Sequence, residues 1–193
     1  EKINNIFFEI IISPKYSKES LEILKSKKNR IILIQKKNIS RKFISRDVLN
    51  GSLKQDFDYL TNDYKSWTLV TKKELNNSQI QDLDFANKVV KHSKSNAIVL
   101  VKNKQTIGIG AGQMNRYDAT KIAIMKYKKN FSSKNLVCAS DAFFPFTDSL
   151  KLLKNNCSCI ISPRGSINDQ KIIDYANKHN IKLIFSSVRV FKH

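Results

Sequence analysis

From residue 96 onward, strand-length apolar runs alternate with amphipathic segments of helical length, and little chain lies between them. AIVLV and TIGIG read as two strands joined at Asn103-Lys104, a hairpin. NRYDATKIAIMKYKKN then reads as a helix, LVCAS as a strand and TDSLKLLKNN as a helix. CIIS follows as a strand, SINDQKIIDYANKHN as a helix and IKLIF as a last strand. Such an alternation with short loops predicts a three-layer αβα arrangement, an α/β fold.

The upstream half is less regular. IFFEIIIS reads as a strand, YSKESLEILKSKK as a helix capped by Ser17, and IILI (31–34) as a second strand. Its strands are apolar without alternation, which predicts a parallel sheet covered on both faces. A β-α-β piece with two strands does not make a stable domain alone. It reads as the tail of a unit whose beginning lies elsewhere. Residues 35–66 are polar, with a turn expected at Asn50-Gly51, and read as a connector. WTLVT (67–71) reads as a strand. SQIQDLDFANKVVKHSK then reads as a helix capped by Ser78, with Ile80, Leu83, Ala86 and Val90 on one face. The expected division is a tail of one lobe over 1–45, a connector over 46–85 and a complete lobe over 86–193.

The formal charge is +19, a balance that ordinarily points to polyanions. Only six of the 35 basic residues are arginine: Arg30, Arg41, Arg46, Arg116, Arg164 and Arg189. Nucleic-acid surfaces favour arginine, whose fork matches phosphate and guanine edges. The scattered lysines, with abundant Asn and Ile and little Gly or Pro, are the residue set of an AT-rich coding sequence. A basic nucleic-acid-binding module stays as the alternative. Three cysteines, Cys138, Cys157 and Cys159, form no paired framework and no CxxC, which fits a reducing compartment. No apolar run has membrane-spanning length and no secretory signal opens the chain. The expectation is a soluble, cytoplasmic protein with no membrane partner.

Three of the five glycines fall in IGIGAGQ, at Gly108, Gly110 and Gly112. The dinucleotide fingerprint needs G-x-G-x-x-G and a P-loop needs G-K-[ST]. Neither spacing is present. Glycines at the end of a strand let another backbone, or a flat ligand, come close. In SDAFFPFTD (140–148) three phenylalanines and a proline follow a strand directly. They are either a plug for the core or a wall for a planar heterocycle, with Asp148 available to accept from ring N–H groups. In SPRGSIND (162–169) a tight turn precedes a helix that Ser166 or Asn168 can cap. The C-terminal RVFKH follows a strand with no solubilising tail. No Ser/His/Asp order, no HExxH and no deaminase zinc set is present.

Taken in order, SNAIVLVKNKQTIGIGAGQMNR, SDAFFPFTD, SPRGSIND and RVFKH resemble the AICAR transformylase part of the bifunctional AICAR formyltransferase/IMP cyclohydrolase family. The likeness is close over roughly 66–193 and looser but collinear upstream. It implies a cytidine deaminase-like lobe without zinc, and transfer of a formyl group from 10-formyltetrahydrofolate to the AICAR nucleotide in purine biosynthesis. It also implies a homodimer and no metal. Residue by residue, it implies Asn96 and His193 beside the chemistry. Arg116, Tyr117, Phe143, Pro145, Phe146, Asp148, Gly165, Arg189 and Phe191 would contact the nucleotide or the folate. Two positions depart from the pattern: Thr147 where the family has arginine, and Arg164 where a small residue is usual. The family's catalytic Lys-His pair belongs to the other lobe. Lys91-His92 lies away from that position and reads as a solvated helix end. The chain is therefore expected to be nearly inactive without an N-terminal lobe, supplied by the same or another polypeptide.

Overall fold

Of the apolar run at residues 6–13, only Ile10–Ser13 becomes a strand, β1, and Phe7 ahead of it is 88% exposed. The computed structural model describes residues 1–37, 42–59 and 64–192. They form two compact units, Glu1–Tyr59 and Leu60–His193.

In the first unit, β1 is followed by helix α1, Lys18–Lys25, and by strand β2, Ile31–Ile34. Ser17 caps α1 as its sequence indicated, its side chain accepting from the Ser20 N–H at 3.2 Å. β1 and β2 run parallel, with Ile10 beside Ile31 and Ile12 beside Leu33. Those four side chains share one face and all are exposed, while Ile11 and Ile32 on the other face are half-buried. The expectation of a sheet covered on both faces is not met by the described residues of this unit. Downstream, where a connector was expected, β3 (Phe43–Val48) and β4 (Gly51–Asp56) form an antiparallel hairpin. Its loop is Leu49-Asn50 rather than Asn50-Gly51, because Val48 pairs with Gly51; Leu49 takes the positive φ, 46°. Every residue of both strands is exposed. No buried face imposed an alternating pattern on this ladder, so it did not read as strand.

The second unit is built on a six-stranded sheet. Its strands are β5 (Thr68–Leu69), β6 (Ile98–Lys102), β7 (Gln105–Gly110), β8 (Leu136–Ser140), β9 (Cys157–Pro163) and β10 (Lys182–Ser186), in the order β5-β10-β9-β8-β6-β7. β8, β9 and β10 are parallel; β6 runs antiparallel to β8, and direction switches there. The helices are α2 (Asn77–His92), α3 (Arg116–Asn130), α4 (Asp148–Leu153) and α5 (Asp169–Lys178). Leu83, Ala86 and Val90 of α2 pack with Val99, Ala139 and Ile161 in one apolar cluster. Ala119 and Ala123 of α3, Leu150 of α4 and Ile172 of α5 pack with Ile98, Cys138 and Ile160 in another. Alternate residues of each strand thus feed opposite layers, and the α/β layering expected from the alternation of strand and helix is present. Asn76, not Ser78, caps α2: it accepts from the Gln79 N–H at 2.9 Å while Gln79 returns a bond to the Asn76 N–H at 3.1 Å.

The β6–β7 hairpin turns at Asn103-Lys104, both at positive φ. The buried Asp82 carboxylate of α2 accepts both of their N–H groups, at 2.9 and 2.7 Å, and so holds a turn that contains no glycine. All three cysteines are buried and unpaired, and burial pushes their thiols up. Among the described residues no helix is long and apolar enough to cross a membrane.

Candidate ligand-binding site

The glycine run answers to packing. A Cβ on Gly110 would overlap the Ala119 carbonyl oxygen and stand 2.7 Å from its carbon; one on Gly108 would overlap the Ala123 carbonyl oxygen. Both glycines exist so that α3 can lie directly on β7. Gly112, at φ 67°, then turns the chain toward the start of α3. The strand-to-helix corner delivers Asn115 as N-cap, accepting from Asp118 N–H at 2.8 Å, and Arg116 as the first helical residue.

Register places five chain segments at one end of the sheet. Ile98 at the start of β6 lies opposite both Gly110 at the end of β7 and Ser140 at the end of β8. Pro163 and Ser186, the last residues of β9 and β10, are partners in turn. This is the edge at which parallel strands end and strand direction switches, where open α/β sheets ordinarily leave a crevice.

Two groups of residues meet there. The first surrounds Arg116, which is 9% exposed. Its Nη1 donates to the Phe143 carbonyl at 2.9 Å, and its Nη2 donates to Asn96 Oδ1 at 3.0 Å and to Asp141 Oδ1 at 2.8 Å. Asn96 is fixed in turn by its Nδ2, which donates to the Gln113 and Met114 carbonyls at 3.0 and 3.3 Å. Arg116 Nε and Asp141 Oδ2 are buried without partners. Each such atom costs about 1–3 kcal/mol.

The second group surrounds Arg189. Its guanidinium lies over the Phe143 ring, 4.8 Å from the centroid. A Cβ on Gly165 would stand 3.1 Å from Arg189 Nη2, and Gly165 has φ 120°, a conformation that calls for glycine. The Asp169 carboxylate accepts from the Gly165 and Ser166 N–H groups at 2.8 and 3.2 Å. Asn168 makes no side-chain cap; its Nδ2 instead donates to the Pro145 carbonyl at 2.8 Å, tying the aromatic loop to the turn before α5. The C-terminal segment is anchored: Val190 N–H donates to the Asp141 carbonyl at 3.1 Å, and Lys192 N–H to Ser95 Oγ at 2.9 Å.

The aromatic run divides by residue between its two readings. Phe144 is the core plug, 2% exposed, while Phe143 is half-buried beneath Arg189 and Phe146 is 62% exposed. Asp148 is half-buried and accepts at 2.7 Å from the Ser149 N–H of its own short helix. Tyr117 carries Lys121 Nζ over its ring at 4.4 Å. Phe191 is exposed, and His193 lies outside the described residues. His92 is exposed at the end of α2. Sequence reading singled out Asp148 as the carboxylate of SDAFFPFTD and passed over Asp141. Only the pairing of Arg116 with Asp141 reveals the latter, and nothing local to the sequence encodes it. Among the described residues no group of three or more His, Cys, Asp or Glu could hold a metal.

The family model described as AICARFT/IMPCHase bienzyme matches residues 1–126. The whole chain aligns with relatives bearing the name bifunctional purine biosynthesis protein PurH. That of Bacteroides thetaiotaomicron is 46% identical over 195 residues. That of Lactobacillus delbrueckii subsp. bulgaricus is 42% identical over 198 residues, and that of Aquifex aeolicus 43% over 195. Each alignment covers 100% of this chain and 38% of the relative, so the chain spans well under half the length of these proteins.

Proposed function

This chain belongs to the AICARFT/IMPCHase bienzyme family, and from that premise we propose that it is the C-terminal portion of an AICAR formyltransferase. In this reading it takes part in transfer of the formyl group of 10-formyltetrahydrofolate to the amine of the AICAR nucleotide, in the cytoplasm. Residues 86–193 are then the second, cytidine deaminase-like lobe, residues 1–45 the tail of the first and 46–85 the connector. Turnover requires the Lys-His lobe of the parent protein and a homodimer, and uses no metal.

One observation carries the reading. Asn96, Arg116, Phe143, Gly165 and Arg189 come from separate stretches of chain and meet at one end of one sheet, and Asn168 ties Pro145 to the turn at Gly165. The chemistry there suits the two substrates. A half-buried ring with a cation above it offers a stacking surface for a planar heterocycle. Arg189 offers donors to anionic or carbonyl oxygens. Asn96 Oδ1, which accepts one bond from Arg116, keeps a second acceptor position beside them. Tyr117, Phe146, Asp148 and Phe191 complete the proposed contacts, and His193 the proposed chemistry.

The test is titration of the chain with AICAR and with a non-reactive 10-formyltetrahydrofolate analogue, alone and after addition of the separately produced N-terminal portion of a relative. Trp67 and the six tyrosines supply the fluorescence signal. Saturable binding that appears or tightens on complementation is expected, with formyl transfer only in the complemented sample. No binding in either sample, beside steeply salt-dependent RNA binding, would replace the reading with the basic-module alternative.

A further inference from the structure

We propose that Asp141 is a positioning residue of this site: its carboxylate sets the Arg116 guanidinium, and through it the side chain of Asn96 and the backbone of Phe143. The inference rests on the function proposed above and adds a residue to it.

The geometry is not that of an ion pair built for its own strength. An arginine and a carboxylate left to themselves pair through two parallel N–H···O bonds. Here one bond joins them, from Nη2 to Oδ1 at 2.8 Å, although both side chains are almost wholly buried. The rest of the fork is spent elsewhere. Nη1 is turned to the Phe143 carbonyl, and Nη2 is shared with Asn96 Oδ1. Arg116 Nε and Asp141 Oδ2 are left buried without partners. A guanidinium that gives up the parallel fork to reach three oxygens from three chain segments holds those oxygens in place.

The oxygens belong to three segments: the start of β6, the end of β8 and the aromatic loop. Asp141 also joins the first two and the C-terminal segment through its backbone, with its N–H on Ala97 O at 3.3 Å and its carbonyl accepting from Val190 N–H at 3.1 Å. Substitution of its side chain leaves those bonds available. Among the described residues the carboxylate is the one anionic group hydrogen-bonded to Arg116. Without it the buried guanidinium has no counter-charge and no fixed orientation.

The decisive comparison uses three forms of the chain: wild type, Asp141→Asn, and a double variant, Asp141→Asn with Arg116→Gln, which removes both charges. Two readouts are taken on each. The first, without ligand, is the Asn96 side-chain amide signal by NMR, with the thermal midpoint beside it. The second is affinity for AICAR and the folate analogue in the complemented sample. Asp141→Asn is expected to move the Asn96 signal and to weaken binding by about tenfold or more, the loss typical of a charge-assisted hydrogen bond. The double variant is expected to recover thermal stability without recovering either the Asn96 signal or the affinity.

A double variant that recovers stability, Asn96 signal and affinity together would show a buried pair with only a structural part, and would overturn the proposal. So would an Asp141→Asn chain with wild-type signal and affinity. Should Asp141→Asn fail to fold, Asp141→Glu, which keeps the counter-charge but moves its oxygens, replaces it in both readouts with the same expected and overturning results. Failure of the wild type to bind either ligand would instead strike the proposed function, while the Asn96 signal would still report whether Asp141 positions that side chain.

Discussion

The two units treat the same residues in opposite ways. Isoleucine and leucine fill the strands of both. In the second unit Ile98, Leu100, Ile160, Ile161, Leu183 and Ile184 are all but fully buried. In the first, Ile10, Ile12, Ile31, Leu33 and Ile34 are exposed, and Leu24 is the one buried apolar residue among those described. The difference is topological. A parallel pair with one helix has too few elements to cover both faces of its sheet. Six strands with helices on both sides cover each other. Apolar strands state that a sheet is to be buried, not what buries it. The first unit should accordingly be held together weakly and the second strongly.

Hydrogen exchange should display the largest contrast. Amides of β8, β9 and β10 should exchange only through global opening, whereas β1–β2 and β3–β4 amides should exchange by local opening, faster by several orders of magnitude. Equal protection in the two units would break the comparison.

Glycine substitutions sharpen it at single positions. Gly110→Ala drives a methyl into the backbone of α3 and should destabilise the second unit by about 3 kcal/mol. Gly51→Ala meets nothing within 4 Å and should change stability by less than about 0.5 kcal/mol. Chemical denaturation measures both.

The two hairpins give a smaller contrast. Asp82→Ala strips two N–H acceptors from the β6–β7 turn and should cost about 1–3 kcal/mol. The β3–β4 turn, led by the fully exposed Leu49, should tolerate Leu49→Ala within about 0.5 kcal/mol.

The smallest effect concerns pH. Desolvation and the neighbouring Lys154 and Lys178 lower the pKa of His179 from 6.5, so its NMR titration should be centred below that value. The fold prefers the neutral ring. Its contribution is complete above the unfolded pKa and is lost as pH falls through that value toward the folded one.

How much of this was legible depended on whether burial left a pattern. The strands and helices of the second unit were readable because each has a buried face or two. Helix α2 was readable in extent, but its cap is Asn76 rather than Ser78. Both residue types suit the position, and only the reciprocal bond with Gln79 chooses between them. The β3–β4 hairpin was missed because it buries nothing. The glycine corner was recognised as a place of close approach, and which backbone approaches became clear only from α3 lying over β7. The aromatic loop showed its importance by composition. Its division into plug, stacking surface and exposed rim depends on contacts with Arg189 and the core that lie far off in the chain. Asp141 was the least legible of all, since its partner lies 25 residues away.

The most direct test of the central claim is NMR mapping of AICAR and the folate analogue on the isotopically labelled chain, complemented as above. The account predicts that the perturbed signals cluster at Asn96, Arg116, Phe143, Gly165 and Arg189. Perturbations confined to the first unit or to scattered surface lysines, with those five unmoved, would contradict it.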